Sequence, residues 1–405
     1  MAQTDTMIRL AIVSSHPIQY NAPFFKHLSA LPEIDLHVFY SWHGTAGQKD
    51  PEFGETIQWD IPLLEGYAHH FVENHSKDPG THHFNGLHNP DMVPDLKAWK
   101  PDVILIYGWP FRTHIGVMRY FKGRVPILFR GDSNLLSSGG FFNYKRRVVP
   151  WLRHWVLRGV YRYVDGVLPV GQHNDDYFRA FRLAEERRFF VPHMVDNQRF
   201  AKDHEARTAE ALQRRRQFGI GDDDVVVLFA GKFVDHKQPL PLLKAVQAAN
   251  AQCGGGLHLL FVGNGVLKEA LQQQAQGDAA IHFMDTANQQ FMPTVYRMGD
   301  VMALPSRSET WGLAVNEAMA CQRPVLVSSR VGCAPDLVVH GETGFHYTYG
   351  EESQISTILA ALSGQRQALL QMGEVGYQRI KQWSFEQGGV ALLKALHGLL
   401  RLGPR

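Results

Sequence analysis

Cysteine is scarce. The three present, Cys253, Cys321 and Cys333, are too few and too scattered for a disulfide framework or a zinc cluster. A reducing, cytoplasmic setting is expected. Long apolar runs are missing as well. The longest, VILIY (103–107), VVVLFA (225–230) and LHLLFV (257–262), are strand-sized, far short of the ~18–20 residues that a membrane span requires. The N-terminus has an acid, one Arg and a short apolar run, without the charged start and long apolar stretch of a signal peptide. Charge of one sign is lacking too. The formal net charge is +2, which argues against a dedicated nucleic-acid binder.

What is present is ordinary globular material. The chain has 405 residues, 44% of them apolar and 20% charged, enough for two or three domains and too apolar for wholesale disorder. Short apolar strands alternate with helical stretches: LAIVSS (10–15), IDLHVFYSW (34–42), DVILIYG (102–108), VPILFRGDS (125–133) and VDGVLPVG (164–171). Continuous apolar strands bounded by turns indicate a parallel sheet covered on both faces. Residues 201–224 are charged and poor in large apolar side chains, which reads as a linker that is partly helical. A second series follows: VVVLFAG (225–231), LHLLFVGNG (257–265), IHFMD (281–285), DVMALPS (300–306) and PVLVSS (324–329). The final segment (383–402) reads as an amphipathic helix with Leu392, Leu393, Leu396, Leu399 and Leu400 on one side. The expectation is an α/β protein of two Rossmann-like, doubly wound domains: 1–200, 201–382, and a helix 383–405 packing back on the first.

The common nucleotide fingerprints do not apply. The turn after the first strand, SSHPIQYN, has no glycine, and the G-x-G at Gly263-Asn264-Gly265 lacks its third glycine. A Walker loop is absent. The informative stretch is DVMALPSRSETWGLAVNEAMA (300–320). A strand runs into a polar loop holding Glu309, and Gly312 opens a helix that carries Glu317. Backbone N–H groups near Trp311, Gly312 and Leu313 form an anion site at that helix start. The loop after the strand ending at Gly231 supplies Lys232 and Lys237. Two ammonium groups beside a diphosphate stabilise the charge that builds as it leaves, a task divalent metals perform elsewhere.

These residues carry a family resemblance. G-K-x5-K, S-x-x-E-x7-E and RPVLVSSRVGCAPDLVVHGETGF (323–345) resemble the C-terminal domain of the retaining GT-B glycosyltransferases, family 4. The match covers about 225–350. SSHPIQYNAPFFKHL, FRGDSN and VDGVLPVGQ resemble one branch of that family more loosely. The resemblance implies a GT-B fold with a sugar-nucleotide domain at the C-terminus and an acceptor domain at the N-terminus. It implies Lys232 and Lys237 at the donor diphosphate, Glu309 at the donor sugar and Glu317 at the ribose hydroxyls. Phe283 and Met284 fall where the family meets the base, and Asn264 lies near the same cleft. Sugar transfer from a UDP- or GDP-linked donor to a glycan, lipid-linked or small-molecule acceptor, with retention and without a metal or other cofactor, is the implied activity, and surface-polysaccharide synthesis its implied setting. A GT-B nucleotide-sugar 2-epimerase and a non-catalytic sugar-nucleotide-binding scaffold are the alternatives.

The sequence departs from the family at several points. Lys232 replaces an Arg, which keeps charge and loses bidentate geometry. Trp311 replaces the usual Phe, Cys333 the second Gly of the late motif, and Asp336 its Glu. The position of the family's N-domain histidine is filled by Arg130-Gly131-Asp132, so Asp132 or Arg130 is assigned to sugar or acceptor contact. His16-Pro17 stands where a glycine pair is frequent. His16, Gln19, Tyr20 and Asn21 are assigned to the acceptor or cleft, with helix capping or core lining as the plainer reading of His16. Two further runs stand out. Residues 66–90 hold His69, His70, His75, His82, His83 and His88 in no helical register and no fixed metal-ligand pairing, which reads as a solvated loop. Residues 144–164 interleave Arg146, Arg147, Arg153, Arg158 and Arg162 with Trp151, Trp155 and Val156. That basic, aromatic face either packs inward or rests on anionic lipid.

Overall fold

The computed structural model describes residues 7–44, 59–136 and 155–404. The chain divides into two compact units. The first comprises residues 1–46, 62–193 and 385–405, and the second comprises 47–61 and 194–384. Met194 to Phe200, placed with the first domain from the sequence, thus belong to the second unit.

The first unit is built on a parallel sheet of six strands: β1 (Ile8–Ser14), β2 (Ile34–Tyr40), β3 (Ala68–Phe71), β4 (Val103–Tyr107), β5 (Ile127–Arg130) and β6 (Gly166–Val167). Their spatial order is β3-β2-β1-β4-β5-β6. Leu10 to Val13 and Val103 to Ile106 are fully buried, as central strands covered on both faces must be. The helix Phe385–Leu402 belongs to this unit. It buries Leu392, Ala395, Leu396 and Leu399, and Phe385 packs on Phe24. Leu400, expected on the apolar side, is exposed.

The second unit repeats the plan with β7 (Val225–Ala230), β8 (Leu257–Val262), β9 (Ile281–Met284), β10 (Val301–Leu304), β11 (Val325–Ser328) and β12 (Gly344–Tyr347). The order is β12-β11-β10-β7-β8-β9. In both sheets the order reverses between the first and fourth strands, β1/β4 and β7/β10. Ligands of doubly wound sheets bind outside the carboxyl ends of the strands at such a switch point.

Three expectations need correction. The edge strands β3 and β12 were not anticipated. β3, Ala-His-His-Phe, has no buried residue, and an edge strand pairs on one side only, so neither shows a long apolar run. The linker at 201–224 is mostly the helix His204–Gln217, which packs on the helix Met292–Met298. Its charge misled because Arg215 is a core residue. Arg215 Nη1 donates to Asp300 Oδ2 at 2.8 Å with both side chains 1% exposed. Asp300 also accepts from Val226 N at 2.8 Å and Arg366 Nε at 2.9 Å. Finally, in the helical turns at 155–161, Leu157, Val160 and Tyr161 are buried, while Trp155 and Val156 are exposed. Inward packing therefore fails for Trp155. Arg146, Arg147, Trp151 and Arg153 lie outside the described residues.

Candidate functional site

Lys232, Lys237, Glu309 and Gly312 of the second unit gather at its switch point. β7 ends at Ala230, and Gly231 leads into the loop with Lys232 and the turn Asp235–Lys237. β10 ends at Leu304 and leads through Ser306 and Glu309 to the helix Leu313–Ala320. Backbone bonds join the two loops: Arg307 N donates to His236 O at 2.8 Å. An Arg307–Asp235 ion pair at 2.9 Å reinforces them. Across this junction Lys237 Nζ donates to Glu309 Oε2. The side chains are 21% and 17% exposed, so both reach the surface of the junction.

Glu309 is not on a loose loop. Its N–H donates to Arg330 O at 3.3 Å and its carbonyl accepts from Gly332 N at 3.2 Å. Cys333 N donates to Trp311 O at 2.9 Å. The late motif therefore acts as a backbone splint under the glutamate. Gly312 caps the helix start with φ +101°, a region that favours glycine. A Cβ there would also lie 3.0 Å from Leu304 Cδ2 and Val331 Cγ1. The first N–H groups of the helix have no intrahelical partner, and they begin at this glycine. The indole of Trp311 is buried and donates to Asn316 Oδ1 at 2.9 Å. The indole N–H is therefore engaged within the second unit.

Lys232 is carried by a second junction. Gly231 N donates to Val262 O, and Phe233 N donates to Asn264 O at 2.8 Å. A Cβ on Gly263 would lie 2.0 Å from Gly231 O, and one on Gly265 2.6 Å from Phe233 O. The G-x-G that failed as a cofactor fingerprint is thus a packing device that seats the lysine loop. Asn264 turns its Oδ1 to Gly265 N at 2.8 Å. Phe283 stacks on Phe261 with centroids 5.4 Å apart. Phe283 and Met284 are half-buried at the end of β9, on the sheet edge beyond β8.

Glu317 departs from the simple picture. It is 5% exposed, and the Tyr296 hydroxyl donates to its Oε2 at 2.5 Å. Burial pushes its pKa up to about 7, against the pull of Tyr296 and Arg199. Cys321 lies within electrostatic reach, its own thiol pushed up by burial. Tyr296 was missed from the sequence, where nothing distinguishes it from other helix residues.

In the first unit, the expected acceptor residues stand at strand ends. His16, Gln19, Tyr20 and Asn21 form the half-buried turn after β1. The His16 ring lies 3.0 Å from Ser15 Oγ and edge-on to Trp42, and burial lowers its pKa. Arg130 does not present itself to a ligand. It is 5% exposed, and its guanidinium donates to Val191 O at 2.9 Å and Pro192 O at 2.7 Å. This corrects its assignment to acceptor contact: it is a buried bracket. The bracket brings His193 beside Arg130 and Asp132. Burial and the Arg130 charge lower the His193 pKa to about 4, with Asp132 opposing. His193 was also missed, because sixty residues separate it from its neighbours in sequence.

Among the described residues no helix is long and apolar enough to cross a membrane.

Residues 211–379 match the family described as glycosyl transferases group 1. The chain is 31% identical over 219 residues to the GDP-mannose-dependent alpha-(1-6)-phosphatidylinositol monomannoside mannosyltransferase of Mycolicibacterium smegmatis, covering 51% of this chain and 56% of that protein. It is 30% identical over 303 residues to the sulfoquinovosyl transferase SQD2 of Arabidopsis thaliana, covering 73% and 56%. The chain therefore spans just over half the length of these curated relatives. Among solved structures, Anabaena HepE in complex with UDP superposes with a TM-score of 0.71 at 17% identity, over 96% of this chain and 100% of that one. Residues 211–379 thus carry the likeness to group 1 glycosyl transferases, and the parallel six-stranded sheet in each of the two units is that of the GT-B fold.

Proposed function

We propose that the protein is a family 4 glycosyltransferase of EC 2.4 type. It transfers a sugar from a nucleotide-diphosphate donor to an acceptor hydroxyl, with retention of anomeric configuration. The observation that carries this reading is the pairing of Lys237 with Glu309 at the β7/β10 switch point, beside the helix start at Gly312. There the diphosphate takes Lys232, Lys237 and the helix N–H groups. Displaced from Lys237, the Glu309 carboxylate faces the anomeric carbon, where positive charge develops as the diphosphate departs. The acceptor attacks from the same face. Glu317 accepts the ribose hydroxyls, and Phe283, Met284 and Asn264 border the base. Asp132, with the turn at His16, serves the sugar or acceptor from the first unit. The donor nucleotide is UDP or GDP: one relative is GDP-mannose-dependent, and a solved structure of the same fold holds UDP. The acceptor is a glycan, a lipid-linked or a small molecule, and nucleic acid is not a partner. The setting is the cytoplasm, with peripheral contact to anionic membrane through the exposed Trp155 and Val156, in the synthesis of a surface polysaccharide or another glycan.

Incubation with a panel of UDP- and GDP-linked sugars without acceptor tests the reading. Slow release of free sugar and nucleotide from one donor supports it. An epimerised donor favours the 2-epimerase, and no turnover with any donor favours a binding scaffold.

No cofactor is required in this reading. Lys232, Lys237 and the helix start supply the positive potential, and turnover is expected to survive excess chelator. A dead enzyme restored only by magnesium or manganese overturns that expectation.

Glu317→Ala is expected to raise donor KM more than it lowers kcat, because the carboxylate sits at the ribose. With its pKa near 7, the ionised form gains as pH rises through that value. A charged acceptor makes the stronger hydrogen bond, so donor KM falls over the same range. Tyr296→Phe removes a bond that favours the anion. The KM limb should move to higher pH and recover in alkali, which Glu317→Ala cannot do. Kinetics of the three proteins across pH decide this.

A further inference from the structure

The histidine-rich loop before the helix Met92–Trp99 has a defined shape. Asn74 Nδ2 donates to Gly86 O at 2.9 Å, and its Oδ1 accepts from Ser76 N and His88 N at 3.0 Å each. His75 N donates to His88 O at 2.8 Å, and Gly80 N to Gly86 O at 3.2 Å. The loop closes where only glycines fit: a Cβ on Gly86 would lie 2.1 Å from Gly80 O.

That closure gathers groups whose spacing in sequence gave no metal-ligand pattern. His82 Nε2 and His83 Nε2 each lie 3.1 Å from Asp78 Oδ2, and His83 Nε2 is also 3.0 Å from Asp78 O. One ligand atom from each of the three residues falls within 4.8 Å of the others. Zinc binds imidazole nitrogen and carboxylate oxygen at about 2.0–2.2 Å, and a tetrahedron of that size has edges of about 3.3–3.5 Å. The two measured edges are within a few tenths of an ångström of that. Two imidazoles and one carboxylate suit zinc, nickel or copper better than magnesium or calcium.

We propose that Asp78, His82 and His83 form a surface site for a zinc-class divalent ion, with water in the remaining position, that staples the loop 74–88. The site is separate from Lys232, Lys237 and Glu309, and the proposed transfer does not pass through it. The loop also carries Phe84 and His88, which line a groove of about 680 Å³ in the first unit with Arg112, Arg119 and Tyr120. Ion binding therefore fixes one wall of that groove.

The test is calorimetric titration of the full-length, tag-free, chelator-treated chain with zinc sulfate. One equivalent is expected. His82→Ala and His83→Ala should each weaken binding at least tenfold, and His75→Ala should leave it unchanged. Cobalt(II) in place of zinc should give the intense visible bands of four-coordination. Limited proteolysis within 74–88 should slow when zinc is added to the wild type and not to the His82→Ala/His83→Ala protein. No uptake, or equal uptake by the wild type and the double variant, overturns the site. Weak six-coordinate cobalt bands overturn its geometry.

Discussion

Glu309→Gln is expected to lose at least ~10²-fold in kcat with the melting temperature nearly unchanged. The substitution keeps shape and hydrogen-bonding capacity and removes only charge. On the proposed reading that charge faces a developing oxocarbenium ion in the transition state, where it counts for more than in the ground state. The loss therefore appears in kcat rather than in donor KM. Stability is spared for two reasons. The backbone of Glu309 is held by Arg330 and Gly332, which the substitution does not touch. The Lys237 pair it weakens is partly exposed, and such pairs contribute about 0–1 kcal/mol. Steady-state kinetics with a competent donor, thermal melts and NMR of the wild-type product settle the matter together. Near-normal turnover of the variant, or an inverted product, overturns the reading of the site.

Asp300→Ala is expected to be the most damaging single change to the second unit. Asp300 is the carboxylate partner of Arg215, and it also holds Val226 N and Arg366. Removing it leaves a guanidinium 1% exposed that keeps its bond to the Asp224 carbonyl at 2.6 Å but loses the carboxylate that balances its charge. Breaking a buried pair from one side costs about 3–5 kcal/mol. For a unit of this size that corresponds to a fall in melting temperature of roughly 6–20 °C. Asp300 immediately precedes β10 and Val226 lies in β7, so the loss falls on the two strands that lead to Glu309 and Lys237. Calorimetric melts of the variant check the prediction. A shift of one or two degrees means that the unit tolerates the bare cation.

The legibility of this chain in its sequence follows physical lines. Central strands such as VILIY and VVVLFA are buried on both faces and declare themselves as unbroken apolar runs. β3 does not, because half its residues face water. The placing together of Glu309, Lys237 and Gly312 was readable because it depends on local order along the chain: strand, loop, helix start. Tyr296 and His193 were not, since each acquires its partner only when distant segments fold together. Arg130 was placed at the right strand end and given the wrong task, because sequence shows a charge but not which carbonyls receive it. Arg215 shows the same failure in a supposed linker.

The discontinuity of the first unit bears on the order in which the protein is made. Its sheet is complete at β6, yet the helix that covers Phe24 and Phe189 is translated only after the whole second unit. At ~5–20 residues per second, the nascent first unit waits on the order of ten seconds or longer with that apolar surface open. The second unit, contiguous from Met194 to Ser384 apart from the short 47–61 segment, can fold in the interval. A ribosome stalled short of Phe385 would therefore hold a finished second unit and an unfinished first one, and chaperones that recognise exposed apolar surface should engage the N-terminal end of such a chain.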